Sequence, residues 1–259
     1  MQRGFSLVEL SIVLVILGLL TGGILGGQSL IRAAEMRAVS TEYNRYVAAA
    51  QTFRDKYFAL PGDMTNAQSF WGVAHATPAT CRTTVGTGTQ TCNGDGDGSI
   101  TPNTAPGSNE SFRFWQHLAN AGLIEGTYSG VRDGTTVFAT TATNAPRSKT
   151  SNGLWYIMNF GIDEGSPPAS QFAIPYDNTF MLGGLSADAA SRTPIFKPEE
   201  LWNIDTKMDD GRPAQGKVIA RTTSTVSRCT TAASNTDLQG DYKLSDNSVQ
   251  CTALFRQVF

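Results

Sequence analysis

Met1-Gln2-Arg3-Gly4-Phe5-Ser6-Leu7-Val8-Glu9-Leu10 opens the chain and decides how the rest is read. A short basic leader ends in glycine, a phenylalanine follows, and one acid then sits inside an apolar run. The next charge is Arg32. The run from Leu10 to Ile31 is long enough to cross a bilayer as a helix, for which about 20 apolar residues suffice. Glu9 therefore lies where charge is normally excluded, which makes it a functional candidate in need of a partner. An ordinary secretory signal puts its small-residue cut site after an apolar core of roughly 7–15 residues. Here Gly4 precedes the run, so a cut after it removes the leader and leaves the apolar segment on the mature chain. Arg3 keeps the leader on the cytoplasmic side, with the bulk of the chain across the membrane.

Gly4-Phe5-Ser6-Leu7-Val8-Glu9 resembles the processing site of type IV pilins and of the pseudopilins of type II secretion. The resemblance implies cleavage after Gly4 by a prepilin peptidase and N-methylation of Phe5. It implies that Glu9 pairs with the terminal amine of a neighbouring subunit during filament assembly. It further implies an inner-membrane assembly platform with a separate motor ATPase. The precursor would be a single-pass inner-membrane protein, in contact with lipid and with its head outside the cytoplasm; the product would be a periplasmic or extracellular filament. Elementary electrostatics agrees, because a carboxylate in hydrocarbon is costly unless neutralised. A neighbour's amine cancels both charges and can set subunit register. Its own amine is covalently close, but an extended or helical N-terminus is expected to point the two apart. Many members of the family carry a proline near the position of Gly26, where this chain has Gly22, Gly23, Gly26 and Gly27. Those glycines are read as the place where the helix could unwind in a filament.

Beyond Ile31 the pattern becomes amphipathic. Met36, Val39, Tyr43, Tyr46, Ala50, Phe53 and Tyr57 step by three and four and make one apolar stripe. Arg32, Glu35, Arg37, Glu42, Arg45 and Arg54 are read as mostly off it. Pro61-Gly62 ends the helix. The organisation expected is a leader over 1–4, a hydrophobic transmembrane or filament-core helix over 5–31, an amphipathic helix over 32–60 and an extracytoplasmic head over 61–259. The fold class expected is α+β: a long helical spine packed against an antiparallel sheet, with long disulfide-tied loops. Close resemblance to the pilin family runs from Arg3 to about Pro61.

The chain has 259 residues and a net charge of −2, with no basic stripe that would indicate nucleic acid. Its four cysteines, Cys81, Cys92, Cys229 and Cys251, form no C-x-x-C pair, which disfavours zinc. An even count in an exported chain favours disulfides. Sequence alone leaves every pairing open, and the two local pairs, Cys81–Cys92 and Cys229–Cys251, are favoured. The second pair resembles the C-terminal disulfide-bounded region of many pilins.

Between the cysteines and the next helix, Asn93-Gly94-Asp95-Gly96-Asp97-Gly98-Ser99-Ile100 resembles the front of a calcium loop. Asn93, Asp95 and Asp97 offer side-chain oxygens and Ser99 a carbonyl. The twelfth position, normally glutamate, is Thr104, and Glu110 is the acid that could close the site. Calcium is therefore the one cofactor considered, against an ordinary solvated turn. Asp205, Asp209 and Asp210 form a second acidic cluster, read first as capping and turn residues. Helices are expected over Ser108–Ala121, capped by Ser108 or Asn109, and over Lys197–Met208. Strands are expected at Leu154–Phe160, Gln171–Ile174, Thr179–Leu182 and Lys217–Thr222.

No enzyme motif survives inspection. Gly211-Arg212-Pro213-Ala214-Gln215-Gly216-Lys217-Val218 nearly matches a phosphate loop but ends without the hydroxyl that holds magnesium. Asp163-Glu164 reads as a solvated acid pair, and His117 as a satisfied helix histidine. The function expected is a structural, non-enzymatic filament subunit, a type IV pilin or a type II secretion pseudopilin. The long head favours a minor or adhesive pilin. The rival of another class is a tethered extracytoplasmic protein that binds calcium or another ligand and never polymerises.

Overall fold

The computed structural model describes residues 6–101, 110–132, 142–150, 152–160, 168–184 and 193–259. One unbroken helix, α1 (Leu7–Tyr57), forms the spine. At 51 residues it is about 77 Å long, from a rise of 1.5 Å per residue. It runs straight through Gly22, Gly23, Gly26 and Gly27, so in the isolated chain the glycine cluster does not unwind it. The helix stops at Tyr57 because Phe58 turns left-handed (φ 54°) and donates its N–H to the Arg54 carbonyl. That stop comes before Pro61 is reached.

The two halves of α1 have opposite surroundings. Met36, Val39, Tyr46, Ala50 and Phe53 are buried under the head, and Tyr43 and Tyr57 are half-buried beside them. The expected stripe is thus the face that packs. Glu42 departs from the expectation. It is buried in that face and accepts hydrogen bonds from Trp155 Nε1 (2.7 Å), Ser148 Oγ (2.7 Å) and the Lys149 N–H (2.8 Å). A carboxylate with three donors can stay on a buried face, since each donor replaces lost hydration.

Four strands make one antiparallel sheet: β1 (Gly153–Asn159), β2 (Asn178–Gly184), β3 (Val218–Arg221) and β4 (Thr252–Phe255), in the order β1-β2-β4-β3. Register is fixed by pairs such as Trp155 with Leu182, Phe180 with Phe255, and Val218 with Phe255. Tyr46 of the spine meets Trp115 (5.0 Å between ring centroids), Trp155 (5.6 Å) and Phe180 (6.4 Å). Tyr43 stacks on Phe255 at 4.9 Å. Large rings dominate this contact because each buries much area and has few rotatable bonds.

Among the described residues the head also holds four short α-helices: α2 (Ala67–Trp71), α3 (Pro78–Cys81), α4 (Glu110–Asn120) and α5 (Pro198–Met208). The last two fall where helices are expected from the residues. Ser108 and Asn109, proposed as caps for α4, lie outside the described residues. Gln171–Ile174 is not a strand: Phe172 is buried in the core, and the Gln171 N–H bonds the Pro168 carbonyl in a turn. Both local disulfides are present, Cys81–Cys92 and Cys229–Cys251.

Candidate functional site

The apolar half of α1 is the first candidate. From Ser6 to Ile31, every residue whose side chain is described is exposed except Gly27, which is partly covered. Leu7, Leu19 and Leu30 are 85%, 73% and 73% exposed. The segment is long and apolar enough to cross a membrane, with a mean hydropathy of 2.4. An apolar surface of this extent needs a cover of lipid or of other helices. No heavy atom lies within 4 Å of where a Cβ would sit at Gly18, Gly22, Gly23, Gly26 or Gly27, so this side is open to close approach by another helix.

Gly4 and Phe5, where processing is expected, lie outside the described residues. Glu9 is described. Its Oε2 accepts the Ser6 N–H at 2.9 Å, while Ser6 Oγ accepts the Val8 N–H at 3.3 Å. The two side chains cap the first turn between them, where the helix dipole favours an anion. Glu9 is thereby held over the first turn of the helix. In the single chain its acceptor is occupied by a backbone N–H rather than by a charged partner.

The second candidate is the acidic loop. Its side chains divide into two groups. Asp95 and Glu110 come together with Asp63, each offering a carboxylate oxygen within 4.8 Å of the others. Asp97 is not in that cluster. Asn93 Oδ1 accepts the Gln68 N–H at 2.9 Å, and Asp97 Oδ1 accepts the Ser99 N–H at 2.7 Å. The loop therefore does not use its alternate positions as an EF-hand does. Thr104 lies outside the described residues. Asp63 was missed because it follows Pro61-Gly62 and reads as the start of a turn. Only the fold brings it against a loop some thirty residues away.

Asp63 and Glu110 anchor the loop. Asp63 accepts the N–H groups of Gly96 (2.6 Å) and Gly98 (3.0 Å). Glu110, fully buried at the start of α4, accepts the Asp95 N–H (3.2 Å) through Oε1, and the Thr101 N–H (2.9 Å) and hydroxyl (2.8 Å) through Oε2. Gly94 is required here: a Cβ at that position would lie 2.4 Å from the Asp63 backbone. Burial pushes the Asp63 carboxyl up to about 6 and the Glu110 carboxyl up to about 7, against the pull of these donors; Asp95 adds to both rises.

The second acidic cluster, the runner-up calcium site, also converges, with one carboxylate oxygen each of Asp205, Asp209 and Asp210 within 4.8 Å of the others, and its members divide by role. Asp209 accepts the N–H groups of Lys217 and Val218, and Asp210 accepts that of Arg212 at 2.8 Å, so both act as turn residues. Asp205 is fully buried and accepts from Tyr242 Oη at 2.8 Å and from the Gly211 N–H at 3.2 Å. Burial pushes its carboxyl up to about 7. His117 is also fully buried. Its Nδ1 accepts the Gly62 N–H at 2.9 Å, and its Nε2 lies 2.9 Å from Thr91 Oγ1. Because Thr91 Oγ1 donates to Gln116 Oε1, His117 Nε2 carries the proton and donates. The ring is a neutral tie between α4 and its neighbours. Asp163-Glu164 lies outside the described residues.

No curated protein and no solved structure matches the chain. Residues 1–25 match the prokaryotic N-terminal methylation motif. The match and the exposed apolar helix meet on the same residues: this chain bears the prepilin-type N-terminus of type IV pilins and pseudopilins.

Proposed function

We propose that the chain is a structural subunit of a type IV pilus or pilus-like filament. The precursor sits in the inner membrane through the apolar half of α1, with its head outside the cytoplasm. Prepilin peptidase cuts after Gly4 and methylates Phe5. The exposed helix then moves from lipid into a bundle of the same helices from related subunits. The observation that carries this reading is the opposed character of one continuous helix. Its second half is buried under its own head, while its first half is left exposed among the described residues. Glu9 exchanges its Ser6 N–H for the charged terminal amine of a neighbour, which cancels two charges in a medium of low polarity. The chain is a scaffold rather than a catalyst, and force comes from a separate motor ATPase.

Mass spectrometry of the mature chain tests this. A terminus beginning at N-methylated Phe5 is expected. A working form still carrying Met1–Gly4 would refute it and favour the tethered, non-polymerising alternative.

A second reading concerns calcium. The convergence of Asp63, Asp95 and Glu110 favours a bound divalent cation in the head. The donors fit calcium in kind, being carboxylates with no nitrogen or sulfur among them. An ionised carboxylate has about four acceptor sites, more than the N–H and O–H donors already present use. Backbone carbonyls or water would have to complete a shell of about six to eight oxygens. Calorimetric titration with calcium tests it. Binding that survives Asp97→Asn and is lost in Asp63→Asn is expected, and no heat at millimolar calcium would reject it.

A further inference from the structure

Arg113 is the anomaly of the head. It is 2% exposed, in the middle of α4. Its guanidinium donates to neutral acceptors only: Gln116 Oε1 (2.7 Å) and the carbonyls of Cys81 (3.0 Å) and Thr84 (3.0 Å). No carboxylate pairs with it among the described residues, and its Nε has no hydrogen-bond partner there. Burial pulls its pKa down to about 10, so it remains protonated at neutral pH. Buried charges are normally paired.

Arg113 lines a cavity of about 70 Å³ beside the Cys81–Cys92 disulfide. The other polar side chains on its wall are Arg82, Gln68 and Asn93. Asn93 has its oxygen committed to the Gln68 N–H, which leaves its NH2 as the end that can face a ligand. Every charged group lining the cavity is thus cationic, and amide donors stand beside them. The volume exceeds two waters at about 30 Å³ each and suits one small polyatomic ion.

We propose that this cavity is a site for a tetrahedral oxyanion, phosphate or sulfate, with Arg113 as its buried cation and Arg82 as the second guanidinium. The Nε–H of Arg113, which has no partner among the described residues, is a buried charged donor for such an ion, and a guanidinium at Arg82 can match its oxygens with parallel N–H donors. The bound ion would supply the counter-charge that Arg113 lacks and would join the disulfide loop to α4. This site is separate from the apolar helix and from the acidic cluster, so it stands or falls independently of filament assembly and of calcium.

The test is calorimetric titration of the full chain in detergent with inorganic phosphate, at ionic strength matched with chloride. Saturable binding at one site is expected. Arg82→Gln, a change at the partly exposed wall, is expected to weaken it about tenfold or more, as is Arg113→Lys, which keeps the charge and loses the Nε donor. Phosphate is expected to raise the melting temperature of the unsubstituted chain with the same midpoint, and not that of Arg82→Gln. No heat with phosphate, equal stabilisation by chloride, or unchanged phosphate binding in Arg82→Gln would each overturn the proposal. Arg82→Gln keeps the test decisive even if Arg113→Lys fails to fold.

Discussion

Arg32 of the spine grips Glu200 in the first turn of α5 with two hydrogen bonds, Nε to Oε1 at 2.6 Å and Nη2 to Oε2 at 2.7 Å. The same guanidinium reaches Glu35 (2.7 Å) and the Ile195 carbonyl (2.8 Å). Glu200 in turn accepts the Lys197 N–H at 2.8 Å, capping α5 behind Pro198. The first charge after the apolar run therefore fixes the head onto the spine, where the covered half of α1 begins. Burial pushes the Glu200 carboxyl up, but the Arg32 hydrogen bond and charge more than offset this, and its pKa is lowered.

Arg32→Gln is expected to destabilise the head by about 1–3 kcal/mol, the range for charge-assisted hydrogen bonds at a partly buried site. Chemical unfolding of the full chain in detergent measures it. Because the folded pKa of Glu200 is depressed, this contribution is present above its ordinary carboxylate range and is lost as pH falls through the folded value. Hydrogen exchange should speed at the first turn of α5 before it speeds in β1. Uniform acceleration across the head would contradict a local clamp.

Glu9→Leu is expected to leave membrane insertion intact and to reduce filament assembly strongly. Leucine removes the charge without shortening the apolar run. It also removes the cap on Ser6, so a second variant, Glu9→Gln, separates the effects. Glutamine can still accept the Ser6 N–H, yet it offers no charge to an incoming amine. Both variants should fail if charge cancellation drives docking, whereas Glu9→Gln should assemble if only the cap matters. Electron microscopy at native expression gives the readout.

Much of this architecture can be read from the residues, and the unreadable parts share a cause. The spine is legible because no charge falls between Glu9 and Arg32 and later charges keep mainly to one side, a pattern set within a few turns of one helix. Glu42 breaks it: its burial depends on Trp155 and on the 148–149 turn, more than 100 residues away. β4 is four residues long, too short for a period-two pattern to mark it. Gln171–Ile174 shows the reverse case, with apolar side chains buried from a turn rather than a strand. The acidic loop was legible as oxygen-rich, and Asp95 and Glu110 were found. Asp63 and the reassignment of Asn93 required the tertiary contacts.

The buried carboxyls predict an unusual response to pH. Glu110 rises from 4.5 to about 7 on folding, and Asp63 from 3.8 to about 6. Across that window the folded chain holds more protons than the unfolded one, so their contribution to stability falls as pH rises. His117 acts oppositely: burial lowers it from 6.5 to about 3, so the folded chain holds fewer protons there and stability rises with pH. Asp205, raised from 3.8 to about 7, adds to the same fall, so Glu110→Gln should remove part of the falling component between about pH 5 and pH 7 and leave the rest. Melting curves without calcium measure this. If calcium binds the cluster, adding it should flatten the wild-type decline and change nothing in Glu110→Gln. Equal slopes for the wild type and Glu110→Gln across that window would show that folding does not raise the Glu110 carboxyl.

The C-terminal disulfide loop has its own test. Tyr242 lies inside the loop closed by Cys229 and Cys251, and its hydroxyl donates to buried Asp205 on α5. Tyr242→Phe leaves Asp205 with the Gly211 N–H as its hydrogen-bond donor among the described residues. The expected loss is about 1–3 kcal/mol, because an acid stays buried with less to satisfy it. Asp205→Asn on top of Tyr242→Phe should cost less than the sum of the two single changes, since the buried charge is then gone. Opening the disulfide by paired Cys→Ser changes should cost about 2–4 kcal/mol, mainly through a freer unfolded chain. Unfolding in denaturant under oxidising conditions measures each step. Strict additivity of the two single changes would show that Tyr242 and Asp205 act separately, and that the loop is held to α5 by other contacts.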